Sequence, residues 1–424
     1  MIELGLSRIS RLLQETPLSW RAIHVAGTNG KGSITAYLSS LLAAGGVRCG
    51  RFTSPHLIDR WDCITIDERV VQESLFRKIE SQVKQRNQKL DIRATEFELL
   101  TATAFEIFNH ERVEVAVVEV GVGGRLDATN ILKEKDVMVC VVSKIGLDHQ
   151  ALLGNSIEDI AREKAGILKP GVPCVIDGTN SPEVIEVLQN RIKELNIDAV
   201  IVRPDMADRI SPQLPHLFHE LDLEPNQQTN MCCAVAALEK ALPQLRPKLK
   251  LGSLLPELSK VQWPGRLQQI GLDPLIARKA PVLLDGAHNA QSAEVLGQHV
   301  DRKLRLSGCQ VTWIVAASQG RDPTKLFHSI IKPGDNVAVV AFGPVDGMPW
   351  VKAADTTELA DSIRSIQGVG VIKNFHADLL EAMNWASTVA DDGPLVIAGS
   401  LYLVSDVLRL LREARTAQQE LPAL

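Results

Sequence analysis

Aromatic side chains are scarce in this sequence: six tryptophans, nine phenylalanines and two tyrosines in 424 residues. That scarcity argues against a protein that grips nucleic acid by stacking on bases. Blocks of basic residues are absent and the formal net charge is −5, so no nucleic-acid partner is expected. Cys-x-x-Cys pairs are absent too. The seven cysteines (49, 63, 140, 174, 232, 233, 309) are odd in number and irregularly placed, and read as reduced, mostly buried thiols. The N-terminus carries no long apolar run, which leaves no secretory signal and no membrane span and points to the cytoplasm, a mitochondrial pool remaining open. No short repeat and no low-complexity segment is visible. The length allows two or three domains with substantial cores.

What is present starts at Gly27-Thr28-Asn29-Gly30-Lys31-Gly32-Ser33. An apolar run, 22–26, reads as a buried strand before it, and 34–44 reads as a helix after it, closed by Gly45-Gly46. Glycines, a lysine and a hydroxyl on a strand-to-helix turn make a phosphate cradle, with N–H groups and the helix dipole aimed at one spot. Lys31 suits β- and γ-phosphate charge and Ser33 suits magnesium. The usual nucleotide-binding spacing is not fully met, since Val25 stands where the first glycine belongs and the hydroxyl follows Gly32.

Further along, 47–52 reads as a strand ending at Ser54-Pro55, 63–71 as a hairpin, and 74–88 and 95–110 as helices. Residues 114–120 form a nearly continuous apolar run, as in a central parallel strand, interrupted by Glu119. A carboxylate there is costly unless it is salt-bridged or holds a metal, and strand ends of open α/β sheets are where ligands bind. Gly121-Val122-Gly123-Gly124 superficially matches a dinucleotide fingerprint, but no helix with apolar period follows. It reads instead as a shaped loop presenting Leu126, Asp127 and Ala128 to a ligand. Residues 137–143 form another strand, followed by His149, which is either structural or a ligand. A helix at 157–165 contains Lys164, and 172–176 is a strand. Residues 203–230 show little pattern, and His216 and His219 read as surface residues. An apolar helix spans 231–242. Trp263-Pro264-Gly265-Arg266 is a turn suited to an anion, or simply a surface turn. A second α/β unit starts near 278, with strand candidates at 281–284, 311–316, 336–342, 369–375 and 395–398. Residues 1–14 read as a short amphipathic helix and 418–424 as a frayed tail.

Taken together and in order, Gly-Thr-Asn-Gly-Lys-Gly-Ser, Thr-Ser-Pro-His-Leu, Glu-Val-Gly-Val-Gly-Gly-Arg-Leu-Asp-Ala-Thr-Asn, Leu-Asp-His, Glu-Lys-Ala-Gly-Ile, Trp-Pro-Gly-Arg and Asp-Gly-Ala-His-Asn resemble the folylpolyglutamate synthase and dihydrofolate synthase family of the Mur ligase superfamily. The opening 2–9, the run 95–101 and Gly347-Met348-Pro349-Trp350 are most similar to the fungal dihydrofolate synthases. Folylpolyglutamate synthases tend to carry Glu-Arg-Ile in the segment where this chain has Asp59-Arg60-Trp61-Asp62-Cys63-Ile64, and the lack of that arginine in register weighs against the polyglutamylating reading.

The resemblance implies an α/β fold: a P-loop, Mur-ligase-like domain with a parallel-type sheet over 1–272, and a smaller Rossmann-like domain over 278–424. It implies ATP-dependent amide formation, joining L-glutamate to 7,8-dihydropteroate through an acyl phosphate. It further implies two magnesium ions, a potassium ion and a carbamylated Lys164, in a monomer acting on small molecules. By the same resemblance, residues 27–33 together with Asn230, Arg266 and Asp285 hold ATP, and Ser54, Glu119 and His149 hold magnesium. Lys31, Lys164 and His288 are catalytic. Thr95, Glu96, Phe97, Glu98, Leu126, Asp127 and Ala128 face the pterin, and Ser400 lies on the glutamate side. Two alternatives remain at this point: a folylpolyglutamate synthase or bifunctional enzyme, and a nucleotide-dependent switch that has lost the chemistry.

Overall fold

The computed structural model describes residues 4–305 and 308–420. Residues 1–3 of the expected first helix and 421–424 of the expected tail lie outside them. The chain forms two compact units. Unit 1 holds the chain up to His56 and Trp61–Gln262, and unit 2 holds Leu57–Arg60 and the chain from Trp263 onward.

Unit 1 is built on an eight-stranded sheet. Its strands are β1 (Arg21–Ala26), β2 (Cys49–Phe52), β3 (Ile64–Ile66), β4 (Arg69–Val70), β5 (Val115–Glu119), β6 (Val137–Val142), β7 (Cys174–Asp177) and β8 (Ala199–Val202). Their spatial order is β4-β3-β2-β5-β1-β6-β7-β8. Strands β2, β5, β1, β6, β7 and β8 run parallel, while the hairpin β3–β4 adds two antiparallel strands at one edge. β5 and β6 are buried along their whole length, as expected of strands covered on both faces. The covering helices are α1 (Ser7–Leu12), α2 (Lys31–Ala44), α3 (Glu73–Lys89), α4 (Glu96–His110), α5 (Gln150–Leu153), α6 (Ile157–Ala165), α7 (Pro182–Leu195), α8 (Ala207–Ile210), α9 (Leu214–Glu220) and α10 (Pro225–Leu245).

Unit 2 carries a six-stranded sheet, ordered β13-β12-β11-β14-β10-β9. Its strands are β9 (Gln268–Ile270), β10 (Val282–Leu284), β11 (Thr312–Val315), β12 (Asn336–Val339), β13 (Ile372–Asn374) and β14 (Leu395–Ala398). All are parallel except β9, which pairs antiparallel with β10. Its helices are α11 (Ala290–Lys303), α12 (Pro323–Phe327), α13 (Thr356–Arg364), α14 (Leu379–Ala390) and α15 (Leu401–Glu420).

Several expectations need correction. The pairing of β9 with β10 puts residues 263–272 in unit 2, so the boundary falls ahead of the expected interval. A strand of only three residues leaves no periodic trace in sequence. Residues 57–60 also belong to unit 2. Arg409 donates to the Ile58 carbonyl (3.3 Å) and Arg412 makes a two-pronged ion pair with Asp59, contacts no local pattern announces. Helix α10 starts at Pro225 with a capping box from Glu224 to Gln227, six residues before the apolar run, so Asn230 sits inside the helix. The stretch 203–224 is not patternless but holds two short helices. Helix α7 and the four-residue strand β8 went unread because few of their side chains are buried. Helix α15 continues through residues expected to fray. Six of the seven cysteines are buried free thiols, and Cys309 is exposed.

Candidate active site

Strands β2, β5, β1 and β6 are adjacent and parallel, so their carboxyl ends lie along one edge of the sheet. The loops leaving that edge carry Ser54, Gly121–Asn130, Gly27–Ser33 and Ser143–His149 respectively. Four separate sequence motifs are thereby gathered in unit 1 by topology alone.

The phosphate turn is more specialised than its sequence indicates. The N–H groups of Thr28 and Asn29 both donate to the Lys144 carbonyl, at 2.8 and 3.1 Å, and so belong to the framework. Gly30 takes a left-handed φ of +93° and caps α2 with no side-chain hydrogen bond. Ile34 is the first residue whose N–H reaches back into the turn, to the Gly30 carbonyl at 3.0 Å. Lys31, Gly32 and Ser33 therefore present the open N–H end of a 14-residue helix, the arrangement an anion seeks. The Thr28 hydroxyl is also committed, accepting from Gly146 N (3.0 Å) and donating to Gly146 O (3.1 Å). It fastens the turn to the loop that carries His149.

Glycine is required at two places. A Cβ on Gly27 would lie 1.8 Å from Ser143 Oγ, and one on Gly30 would lie 2.3 Å from Asn230 Oδ1. Asn230, buried on α10, thus packs directly under the turn. Ser143 Oγ in turn donates to the carbonyls of Ala26 and Asn29, and Asn180 holds Ser143 O and Ile145 N.

Two lysines converge here. The Lys31 ammonium lies 3.2 Å from the Thr28 carbonyl and 3.6 Å from Glu119 Oε1. Glu119 is thus ion-paired at the end of β5. Lys164 is buried on α6 and donates to the Gly27 carbonyl at 2.8 Å. Burial, reinforced by the charge of Lys31, pushes its pKa down to about 7. His149 adopts a left-handed φ of +52° at the start of α5, its ring partly exposed and 3.9 Å from the buried Asp148 carboxylate. Among the described residues no three His, Cys, Asp or Glu side chains cluster as a closed metal cage. One strand-end carboxylate, a hydroxyl and an imidazole at a phosphate turn fit a magnesium ion, which takes few protein ligands beside phosphate and water oxygens.

The expected pterin-side residues divide into two kinds. Thr95 and Glu98 form the capping box of α4, and Glu98 also accepts from Arg8 Nε at 2.8 Å, so both build the helix start. The Phe97 ring covers Gly121, where a Cβ would come within 2.4 Å of it, which sets 95–98 beside the glycine loop. Glu96 and Leu126 remain partly exposed, whereas Ala128 is 4% exposed. Asp127 is only 1% exposed. Its carboxylate accepts from Val122 N (2.9 Å), Thr129 N (3.0 Å) and the Thr129 hydroxyl (2.5 Å). Burial raises its pKa and these hydrogen bonds oppose the rise. Cys63, within the segment that lacks the family arginine, is buried in the apolar cluster of unit 1. Its backbone carbonyl accepts from Thr53 N.

In unit 2, the Trp263–Arg266 turn and the Asp285–Asn289 motif meet. Gly286 N donates to Gly265 O (2.8 Å), and Asp285 accepts from Leu267 N (2.7 Å) and Ala287 N (2.8 Å). Arg266 lies against Gly286, where a Cβ would come within 2.7 Å of its Nη1, and its charge offsets the burial that raises the Asp285 pKa. His288 Nδ1 donates to Gly286 O at 2.8 Å. β10 and β14 are parallel neighbours, so Asp285 and Ser400 share a sheet edge. Ser400 is 1% exposed and its hydroxyl accepts from Tyr402 N, supporting the start of α15.

Comparison with known proteins now adds to this geometry. Residues 268–410 match the profile of the dihydrofolate synthetase C-terminal domain. Dihydrofolate synthetase of Saccharomyces cerevisiae is 37% identical over 96% of this chain and 98% of its own length. The probable dihydrofolate synthetase of Schizosaccharomyces pombe is 35% identical over 97% and 99%. The chain belongs to the folylpolyglutamate synthase and dihydrofolate synthase family. It is an enzyme, an ATP-dependent carbon–nitrogen ligase with the two-domain fold of that family. Folylpolyglutamate synthase of Mycobacterium tuberculosis, solved with ADP, superposes with a TM-score of 0.79 at 25% identity, covering 97% of this chain and 95% of its own. A bifunctional folylpolyglutamate synthase/dihydrofolate synthase solved with Mn, AMPPNP and L-glutamate gives 0.76 at 25% identity, covering 97% and 95%.

Lys144, Ser143, Asn180 and Thr129, which shape the family site in this chain, escaped the sequence reading. Thr-Asn follows a parallel strand by two residues both at Thr28-Asn29 and at Thr179-Asn180, a recurrence that marks Asn180; the same pair at Thr129-Asn130 and at Thr229-Asn230 inside α10 does not share that placement.

Proposed function

We propose that this chain makes dihydrofolate, coupling L-glutamate to 7,8-dihydropteroate at the expense of ATP. The pteroate carboxylate attacks the γ-phosphorus and ADP leaves, giving an acyl phosphate. The glutamate amine attacks the acyl carbon, loses its proton, and phosphate leaves. What carries the reading is the open N–H end of α2 with Lys31 over it and Glu119 beside it, at the sheet edge that also carries the 121–130 loop. Both reactants of the first step are anions, so Lys31 and the helix end lower their repulsion and steady the transferring phosphoryl group. Glu119, Ser54 and His149 are the residues to hold magnesium, which when bound neutralises phosphate charge. With Glu119 turned to a metal ion, the Lys31 ammonium, 3.6 Å from it here, would be left for phosphate.

Lys164 has the neutral amine near pH 7 that uptake of carbon dioxide as a carbamate requires. The carbamate form can ligate magnesium, which an ammonium cannot. In unit 2, Arg266 and Asp285 are read as contacts to phosphate and ribose, and His288 and Ser400 as residues of the glutamate side. The enzyme is read as a monomer. Dihydropteroate is favoured over tetrahydrofolate by the full-length similarity to two dihydrofolate synthetases. The lack of the family arginine near Trp61 points the same way, since a longer anionic substrate would use an extra cation.

Product chromatography with dihydropteroate and tetrahydrofolate at matched concentrations, each with glutamate and ATP, tests the proposal. Glutamate addition to dihydropteroate alone is the expected outcome. Comparable rates would make the enzyme bifunctional, and preference for tetrahydrofolate would establish a folylpolyglutamate synthase.

A further inference from the structure

His24 lies on β1, three residues before Gly27, and is wholly buried. Its Nε2 is 2.9 Å from the Thr129 hydroxyl, and that hydroxyl is 2.5 Å from Asp127 Oδ1. Thr129 has one hydroxyl proton and gives it to the carboxylate, so His24 must be the donor to Thr129. Nε2 then carries the proton and Nδ1 does not. Consistently, burial and the charge of Lys169 hold His24 neutral, and Nδ1 has no hydrogen-bond partner among the described residues. Asp127 Oδ2 closes the chain on Val122 N at the start of the glycine loop.

From this geometry we infer that His24 and Thr129 are positioning residues for the pterin side of the site. They orient Asp127, whose carboxylate also folds the 121–130 loop by accepting from Val122 N and Thr129 N. The far end of the chain is backbone of the strand that feeds the phosphate turn. The separation between the phosphoryl-transfer point and the loop is thereby fixed by buried donors running His24 to Thr129 to Asp127. This rests on the proposed ligase reading, in which the loop faces the pterin. It gives a positioning role to two buried residues, His24 and Thr129, behind Asp127. A buried brace suits this task, since a misplacement of about 1 Å at a reacting group can cost roughly a hundredfold in rate.

The test compares Thr129→Val, which keeps shape and loses the hydroxyl, with Thr129→Ser, which keeps the hydroxyl. Steady-state kinetics are measured with whichever pterin the wild-type enzyme turns over, so failure of the dihydropteroate assignment shows in the wild type alone. Thr129→Val is expected to raise the KM for the pterin about tenfold while the KM for ATP stays within about twofold, and Thr129→Ser is expected to stay near wild type. Should Thr129→Val fail to fold, His24→Gln, which can keep a donor near the Nε2 position, is compared with His24→Met by the same two constants. Equal behaviour within a folded pair, or a rise in the ATP constant as large as that in the pterin constant, overturns the inference.

Discussion

Two glycine-rich loops leave neighbouring strands of the same sheet, one after β1 and one after β5, and in sequence they look alike. Their backbone donors meet different fates. In the 27–33 turn the first N–H groups are spent on Lys144, but a 14-residue helix follows and its opening N–H groups stay unpartnered by side chains. In the 121–130 loop the N–H groups of Val122 and Thr129 go to Asp127, and only a four-residue 3-10 turn follows, Ala128–Ile131. The first loop exports a partial positive charge; the second spends two of its N–H groups on its own carboxylate. Glycines therefore do not mark an anion site. What marks it is a helix long enough to have a dipole, and no side chain placed to cap it.

Lys164 joins the two. Its ammonium holds the Gly27 carbonyl, and its own backbone lies under Gly124, where a Cβ would come within 3.0 Å of its Cα. A change at one loop is thus felt at the other through a single residue of α6.

The contrast can be broken most sharply at its charged partner. Lys31→Ala should cost well over a hundredfold in ADP release, because phosphoryl charge develops where that ammonium stands, and should lower the thermal midpoint, because the buried Glu119 loses its ion pair. Near-normal turnover in the folded variant would remove the phosphate role of the turn.

A pair of glycine substitutions sharpens the comparison. Gly30→Ala combines a left-handed φ with a clash on Asn230, and should weaken ATP binding by about tenfold or more and destabilise the fold by about 1–3 kcal/mol. Gly124→Ala presses instead on the Glu163 carbonyl, 2.7 Å from the added carbon, and should spoil the pterin constant before the ATP constant. Calorimetric ATP titrations of both variants decide; equal losses would mean the loops do not divide the labour.

The gentlest effect is read in stability against pH. Burial lowers the folded-state pKa of Lys164 from its ordinary 10.5 to about 7. Below pH 7 both folded and unfolded chains are protonated there and the full cost of burying the charge is present. Between those two values only the unfolded chain holds the proton, so stability climbs as pH rises, on the order of 1 kcal/mol per pH unit. Lys164→Met should remove that part of the climb in denaturant titrations made in buffer freed of carbon dioxide. A wild-type slope identical to the variant's would show that the amine titrates at its ordinary value.

The sequence by itself determined the family, the alternation of strands and helices, and the identity of the phosphate turn. These depend on short-range facts: apolar runs of strand length, glycines before a helix, and motifs in fixed order. Tertiary structure alone decided which members of those motifs also hold the protein together. Thr28, Asn29, Thr95, Glu98 and Asp127 all sit in motifs that resemblance assigns to ATP or pterin, and each makes hydrogen bonds inside the protein. The reason is that a polar group at a buried strand end must find a partner somewhere, and the nearest is often the neighbouring loop rather than the substrate. Which partner is nearest depends on strand order. β1 lies between β5 and β6, so Thr28 meets Gly146, and His24 reaches Thr129 in the loop beyond β5. No window of sequence contains both ends of those bonds, which span 105 and 118 residues.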